Sequence, residues 1–218
     1  MITLHHLNNS RSQRVLWMLE ELGVPYEIVR YERDPQTLAA PAALRDVHPL
    51  GKSPVLVDGN QVLAESAVII EHLAQHYGPQ FLPQADSGHP YSYWLHYAEG
   101  SLMPLLLMKL IFKKVETGPM PFFARPIAKG ISAKINSSFI DPRLQQHLDF
   151  VESQLVQREW LVGDELSVAD FQMSFPLEAA RARGGLGDRV NLISYVDRIH
   201  ARPAYRRALE KGGEYAYA

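Results

Sequence analysis

The sequence predicts a small α/β unit, with elements in the order β-α-β-α-β-β-α, followed by an all-helical unit. Three observations carry that expectation. Short runs before residue 65 alternate apolar and polar residues, and helical spacing separates them. Asp58-Gly59-Asn60 joins two of those runs as a hairpin turn. Beyond residue 78 the apolar spacing is helical and no convincing strand follows.

Residues 2–7 alternate as a first strand. From 12 to 22, Val15, Leu16, Leu19 and Leu22 form a helical stripe that Gly23 and Pro25 stop. Residues 26–31 alternate again, with Tyr26 and Ile28 on the apolar face. A weaker, alanine-rich helix is expected over about 38–45. The runs 55–57 and 61–64 flank the hairpin turn, and 66–77 is an amphipathic helix with Val68, Ile69, Leu73 and Tyr77 expected in the core. The first two strands should be parallel through a helical crossover, the last two antiparallel.

Gly78-Pro79 and the stretch to Pro90 read as a linker, dividing the chain into 1–78, a connection over 79–89, and 90–218. Helices are expected over about 91–115, 123–137, 142–157, 167–183, 189–201 and 204–211, with Pro104 kinking the first. Ser167 followed by Asp170 reads as a capping box. An α/β unit of this size is marginal alone, so the helical unit should pack against it.

Composition narrows the function classes. The 218-residue chain is 46% hydrophobic and 21% charged, which suits a packed globular protein rather than a disordered one. A net charge of −2 gives no electrostatic support for a nucleic-acid partner. No apolar run is long enough to span a bilayer, and the opening Met1-Ile2-Thr3-Leu4-His5-His6 runs straight into a strand pattern. A cytoplasmic protein with no membrane partner is expected. The absence of cysteine excludes disulfides, thiolate-ligated zinc and a protein-borne thiol nucleophile. Any sulfur chemistry must come with a ligand.

Two segments stand out as a candidate peptide site. Lys52-Ser53-Pro54-Val55 brings a loop into a strand through a Ser-Pro bond. A cis bond there would expose main-chain groups to an extended ligand backbone, although the trans form is the commoner. Glu65-Ser66 stands where a helix begins, and free N–H groups there favour a carboxylate. Ser66 can also be simply the cap of that helix, and Lys52 simply a solvated lysine. Glu65 supplies an anion for an amine.

Asn9-Ser10-Arg11-Ser12 places hydrogen-bond donors at another helix start, beside the expected Pro54 strand. A charge-assisted bond of about 1.5–3 kcal/mol would lower a ligand thiol's pKa by about one to two units, from about 8.5 toward neutrality. The same residues can equally just cap the helix. Other groupings carry less. His72 and His76 share a helix face without a third ligand, and Gly184 to Gly187 lacks a phosphate loop's flanking residues. Tyr91, Tyr93, Trp94 and Tyr97 read as packing, and Lys113, Lys114, Arg125, Lys129 and Lys134 as a solvated basic patch.

The element order, Lys52-Ser53-Pro54-Val55, Glu65-Ser66 and the box from Ser167 to Asp170 together resemble a cytosolic glutathione S-transferase. The run from Ser10 to Trp17 is similar to the serine-type bacterial and fungal branch. The resemblance covers essentially the whole chain. It implies a thioredoxin-like domain binding glutathione, then a helical domain shaping a pocket for a small hydrophobic electrophile. It also implies a homodimer in a detoxifying role, glutathione as co-substrate, and no metal.

Carried onto this chain, Ser53 with Pro54 would hold the cysteinyl backbone, Glu65 and Ser66 the γ-glutamyl end, and Lys52 the glycyl carboxylate. Glu99, Met103 and Leu106 would face the second substrate. Family register places the thiol-activating position at Asn9, whereas the hydroxyl stands at Ser10. Ser10 is taken as the partner of the thiol, Asn9 next, with Arg11 as electrostatic help. Two other functions fit the same features: a peroxidase or disulfide reductase using only ligand thiols, and a non-catalytic glutathione carrier or interaction module.

Overall fold

β1 (Ile2–Leu7) alternates because its even positions face the core: Ile2, Leu4 and His6 are buried. A computed structural model describes residues 1–37, 39–83, 90–183 and 185–218. α1 (Ser12–Leu22) follows and ends on Gly23, whose φ of 64° suits the left-handed cap that glycine adopts without steric cost. β2 (Tyr26–Tyr31) then lies parallel to β1 with Ile2 opposite Tyr26.

The expected alanine-rich helix shrinks to one turn, α2 (Leu44–Val47). Asp34 explains part of this, since its Oδ1 accepts the N–H groups of Gln36 and Thr37 and holds a turn. Pro41 also disfavours a helical Ala40, and Leu38 lies outside the described residues.

β3 (Val55–Asp58) pairs antiparallel with β1, and β4 (Gln61–Ala64) antiparallel with β3, in the sheet order β2-β1-β3-β4. α3 (Ser66–Tyr77) buries Ile69, Ile70, Leu73 and Ala74 against it. Val68 and Tyr77, expected in the core, are 47% and 37% exposed. The Tyr77 hydroxyl instead reaches out to Asp58, which also accepts a bond from His72. A 3-10 turn (Pro79–Phe81) leaves the sheet, and residues 84–89 of the expected linker lie outside the described residues.

The predicted first helix of the C-terminal half is α4 (Tyr91–Tyr97) and α5 (Met103–Thr117), joined through a π turn at Ala98–Leu102. The helices predicted over 123–137 and 142–157 are likewise α6 (Arg125–Ile135) and α7 (Asp141–Gln154), continuous through a π turn at Asn136–Ile140. Both π turns stop just before a proline, Pro104 and Pro142. A proline donates no N–H and crowds the carbonyl four residues back, and a widened turn relieves both defects without breaking the helix. α8 (Val168–Ala182), α9 (Val190–Ala201) and α10 (Pro203–Gly212) complete the fold.

One apolar core runs through both halves. Trp17 packs between Phe171 of α8 and Tyr205 of α10, at ring separations of 4.5 and 5.8 Å. α1 is therefore surrounded, and Trp17 and Met18 are as buried as its predicted stripe. α10 is also tied down by charge: Arg207 and Lys211 bind Glu20, and Arg202 binds Glu21.

Candidate functional site

The C-terminal ends of β1 and β4 and the start of β3 meet the first turns of α1 and α3 around a cleft of about 360 Å³. Its walls are Arg11, Lys52, Ser53, Pro54, Glu65, Ser66, Glu99 and Leu107, with His48 and Leu50. Segments separated in sequence thus converge where ligands of open α/β sheets commonly sit, beyond strand ends and at helix starts.

The Ser53-Pro54 bond is cis. Ser53 Oγ donates to the His5 carbonyl at 2.8 Å and accepts the Leu7 N–H at 3.2 Å, so its side chain stitches the loop to β1. Strand pairing starts only at Val55, opposite His5, which leaves the Ser53 and Pro54 main chain ahead of the ladder and beside the cleft.

At Glu65 the backbone has φ 69° and ψ 119°, a sparsely populated conformation for a residue with a side chain. It turns the chain from β4 into α3 within one residue. The first intrahelical bond of α3 runs from the Ile69 N–H to the Glu65 carbonyl, so the N–H groups before it lack helical acceptors. The Glu65 carboxylate and the Lys52 ammonium make no hydrogen bond or ion pair with the described residues.

Behind that helix start lies Arg14, which sequence reading did not single out. Its side chain is fully buried, and its Nη1 donates to Ser66 Oγ at 3.2 Å and Glu99 Oε1 at 2.9 Å. Since Ser66 Oγ accepts from Arg14, its own proton remains free to donate. Glu99 also accepts from Arg11 Nε at 2.8 Å, and both guanidinium groups stack over Phe175. Burial pushes the Glu99 carboxyl up, but Arg14 and Arg11 outweigh it and hold the group below the ordinary carboxylate value. Two cations against one anion leave a net positive corner. The signal available in sequence was a lone arginine inside the apolar run of 12–22.

The three residues expected near a ligand thiol separate. Ser10 Oγ donates to the Leu7 carbonyl at 2.7 Å, lies 2.8 Å from Ser12 Oγ, and its residue is 4% exposed. Its hydroxyl is turned inward and does not line the cleft. Asn9, with φ 49°, accepts the Ala216 N–H on Oδ1 at 2.7 Å. Because that partner is a donor, the amide is oriented, and the Asn9 NH₂ makes no hydrogen bond with the described residues. Arg11 alone of the three lines the cleft.

The inward network ends on His6, whose Nδ1 is 2.9 Å from Ser12 Oγ. Burial, reinforced by Arg30, lowers its pKa from 6.5 to about 4. Unfolded, the ring takes a proton near 6.5, so acid favours the unfolded chain. The stability it contributes is whole above pH 6.5, shrinks as pH falls, and is gone below about 4. That gap is worth at most about 3 kcal/mol. Urea unfolding should show the acid-induced loss of stability diminished in His6→Gln, and equal losses in both proteins would remove His6 as the cause.

Met103 and Leu106, expected to face a second substrate, are 6% and 1% exposed and belong to the core. Their helix turns Leu107 toward the cleft instead, because the π turn shifts the face that α5 presents. Glu99 does reach the cleft, as the clamp on Arg11 and Arg14. His72 bonds Asp58, and no group of residues suited to hold a metal occurs among the described residues.

Known proteins resemble this chain in sequence and in fold. Residues 10–76 match the N-terminal domain of glutathione S-transferases, and residues 122–211 match their C-terminal domain. The chain is 39% identical to glutathione S-transferase 3 of Schizosaccharomyces pombe, over 97% of its length and 88% of the relative's. It is 37% identical to glutathione S-transferase 1 of Saccharomyces cerevisiae, over 97% of this chain and 95% of that one. The crystal structure of a glutathione S-transferase from Actinobacillus pleuropneumoniae superimposes with a TM-score of 0.79 at 34% identity, covering 99% of this chain and 94% of the other.

Proposed function

The chain belongs to the glutathione S-transferase family and is a glutathione transferase, and from that premise we propose how its cleft does the work. The Ser53 and Pro54 main chain pairs with the cysteinyl backbone of glutathione as an added strand would. The α3 N–H groups and the Ser66 hydroxyl hold the γ-glutamyl carboxylate, with the Arg14 charge behind them. Glu65 takes the γ-glutamyl amine, and Lys52 takes the glycyl carboxylate.

The observation that carries this reading is the convergence of those groups on one cleft beside Arg11. Arg11 lies in the net positive corner and stabilises the thiolate. Ser10 is a positioning residue that fixes the loop through the Leu7 carbonyl. The thiol proton goes to solvent, and the sulfur lone pair forms a bond to an electrophilic carbon of a small hydrophobic substrate; in substitution the leaving group departs with its bonding pair, and in addition the displaced π pair moves to the neighbouring atom, which takes a proton from solvent. Residues 1–78 form the glutathione-binding domain and 90–218 the domain that shapes the electrophile pocket. The enzyme works as a cytoplasmic homodimer in detoxification.

Glu65→Ala should weaken glutathione binding about tenfold to a hundredfold while leaving the fold intact, as isothermal titration would register; one charge-assisted hydrogen bond of about 1.5–3 kcal/mol is at stake. An unaltered dissociation constant would remove Glu65 from the site. Retention on immobilised glutathione without turnover of any electrophile would overturn the catalytic assignment in favour of a carrier.

A further inference from the structure

The basic patch singled out in the sequence is not accounted for by the glutathione cleft. Between Leu107 and Lys134 the chain carries six basic residues against one acidic residue, Glu116, although the whole protein has a net charge of −2. Lys109 is paired with Asp141, and Lys113 only loosely with Glu116 at 3.5 Å. Lys114, Arg125, Lys129 and Lys134 make no ion pair among the described residues.

The same stretch also carries a run of exposed apolar side chains. α5 and α6 pack as a helical hairpin, with Ser132 Oγ donating to the Phe112 carbonyl across their seam. At the far end Phe122 and Phe123 are 84% and 68% exposed, and among the described ring contacts they touch only each other, at 5.8 Å. Ile127 behind them is 65% exposed, and Ile111, Val115 and Ile131 are also open to solvent. Water-facing apolar area on this scale marks an interaction surface.

We propose that this hairpin end docks the protein on an anionic membrane surface. The two kinds of side chain match the two layers of a bilayer interface. Phenylalanine at a projecting tip enters the acyl boundary, while the cations around it meet lipid phosphates. A second copy seated with this patch on the two-fold axis fits less well, because that contact would set one cationic patch against its duplicate. No helix among the described residues is long and apolar enough to cross a membrane, so the protein lies on the surface and does not span it. The tip is separate from the glutathione site, so neither reading depends on the other. The membrane contact replaces the expectation of a merely solvated patch.

The test is co-sedimentation of the full-length protein with vesicles of phosphatidylcholine alone or mixed with phosphatidylserine. Binding should appear only with phosphatidylserine and fall as salt rises. Each cation removed, as in Lys114→Glu or Lys129→Glu, should weaken it about fivefold or more. The double substitution Phe122→Ser with Phe123→Ser should abolish it, with glutathione turnover and oligomeric mass unchanged. Three results would each overturn the proposal: no binding at low salt, equal binding to neutral vesicles, or binding untouched by these substitutions. A change in oligomeric mass in the double variant would overturn it too, by showing that a second copy covers the face. If vesicles fail and an acidic protein binds at the same residues, the partner is a protein and the membrane assignment falls.

Discussion

Replacing Arg11 with alanine should raise the pKa of the bound glutathione thiol by about one unit and lower kcat/KM about tenfold to a hundredfold. Arg11, Arg14 and Glu99 together carry one net positive charge at the cleft. Without Arg11, Glu99 and Arg14 neutralise each other, and the thiolate loses its nearest unbalanced cation. Arg14 does not compensate, because both Glu99 and Ser66 already engage the Nη1 that faces them. Ultraviolet titration of the bound thiolate reads the effect directly. In the same titration Ser10→Ala should leave the pKa nearly unchanged, because its hydroxyl bonds the Leu7 carbonyl inside the loop. A large upward shift in Ser10→Ala with none in Arg11→Ala would reverse the two roles.

Asp170→Ala should cost about 3–5 kcal/mol of stability, a large part of what a domain this size holds. Asp170 is wholly buried and accepts from the Leu161 N–H at 3.0 Å, the Ser167 N–H and hydroxyl at 2.8 Å each, and the Tyr195 hydroxyl at 2.8 Å. Burial pushes its pKa up, while those donors pull the other way. Alanine would leave each of them inside the protein without an acceptor, at about 1–3 kcal/mol apiece before relaxation. The capping box starts α8, the helix that packs on α1 and α3, so thermal unfolding should shift down by about 10 °C. Activity per folded molecule should stay close to that of the unaltered protein. Lost activity at unchanged stability would contradict a purely structural role.

Much of this architecture was legible from periodicity and punctuation. α1, β2 and β4 appear within their predicted bounds because each has an unbroken pattern bounded by Gly, Pro or Asp-Gly-Asn, and β1 because its alternation gives way to Asn8-Asn9. The alanine-rich helix shrinks to one turn partly because Asp34 offers the backbone a competing local turn and partly because Pro41 disfavours a helical Ala40. The prolines at 104 and 142 read as a kink and a gap, yet the chain absorbs each with a π turn. Nothing local signals that choice, since it depends on long flanking helices that are already packed. Among the cleft residues, Lys52, Ser53, Pro54, Glu65 and Ser66 stood out because loop and helix-start chemistry is local. Arg14 did not, since a buried arginine and an exposed one look alike in a string of letters.

By itself, the chain's order of residues determined that a four-stranded α/β unit precedes helices and that any sulfur chemistry must draw its sulfur from a ligand, and it marked a helix start and a Ser-Pro loop as a candidate peptide site. Only the folded molecule decided which way the side chains of Asn9, Ser10 and Arg11 point. Asn9 and Arg11 are set by contacts with Ala216 and Glu99, 207 and 88 residues away along the chain, and Ser10 by the Leu7 carbonyl inside its own loop. A loop's backbone is shaped by its neighbours, but the direction of each side chain is chosen by whichever donor or charge the rest of the fold brings within about 3 Å.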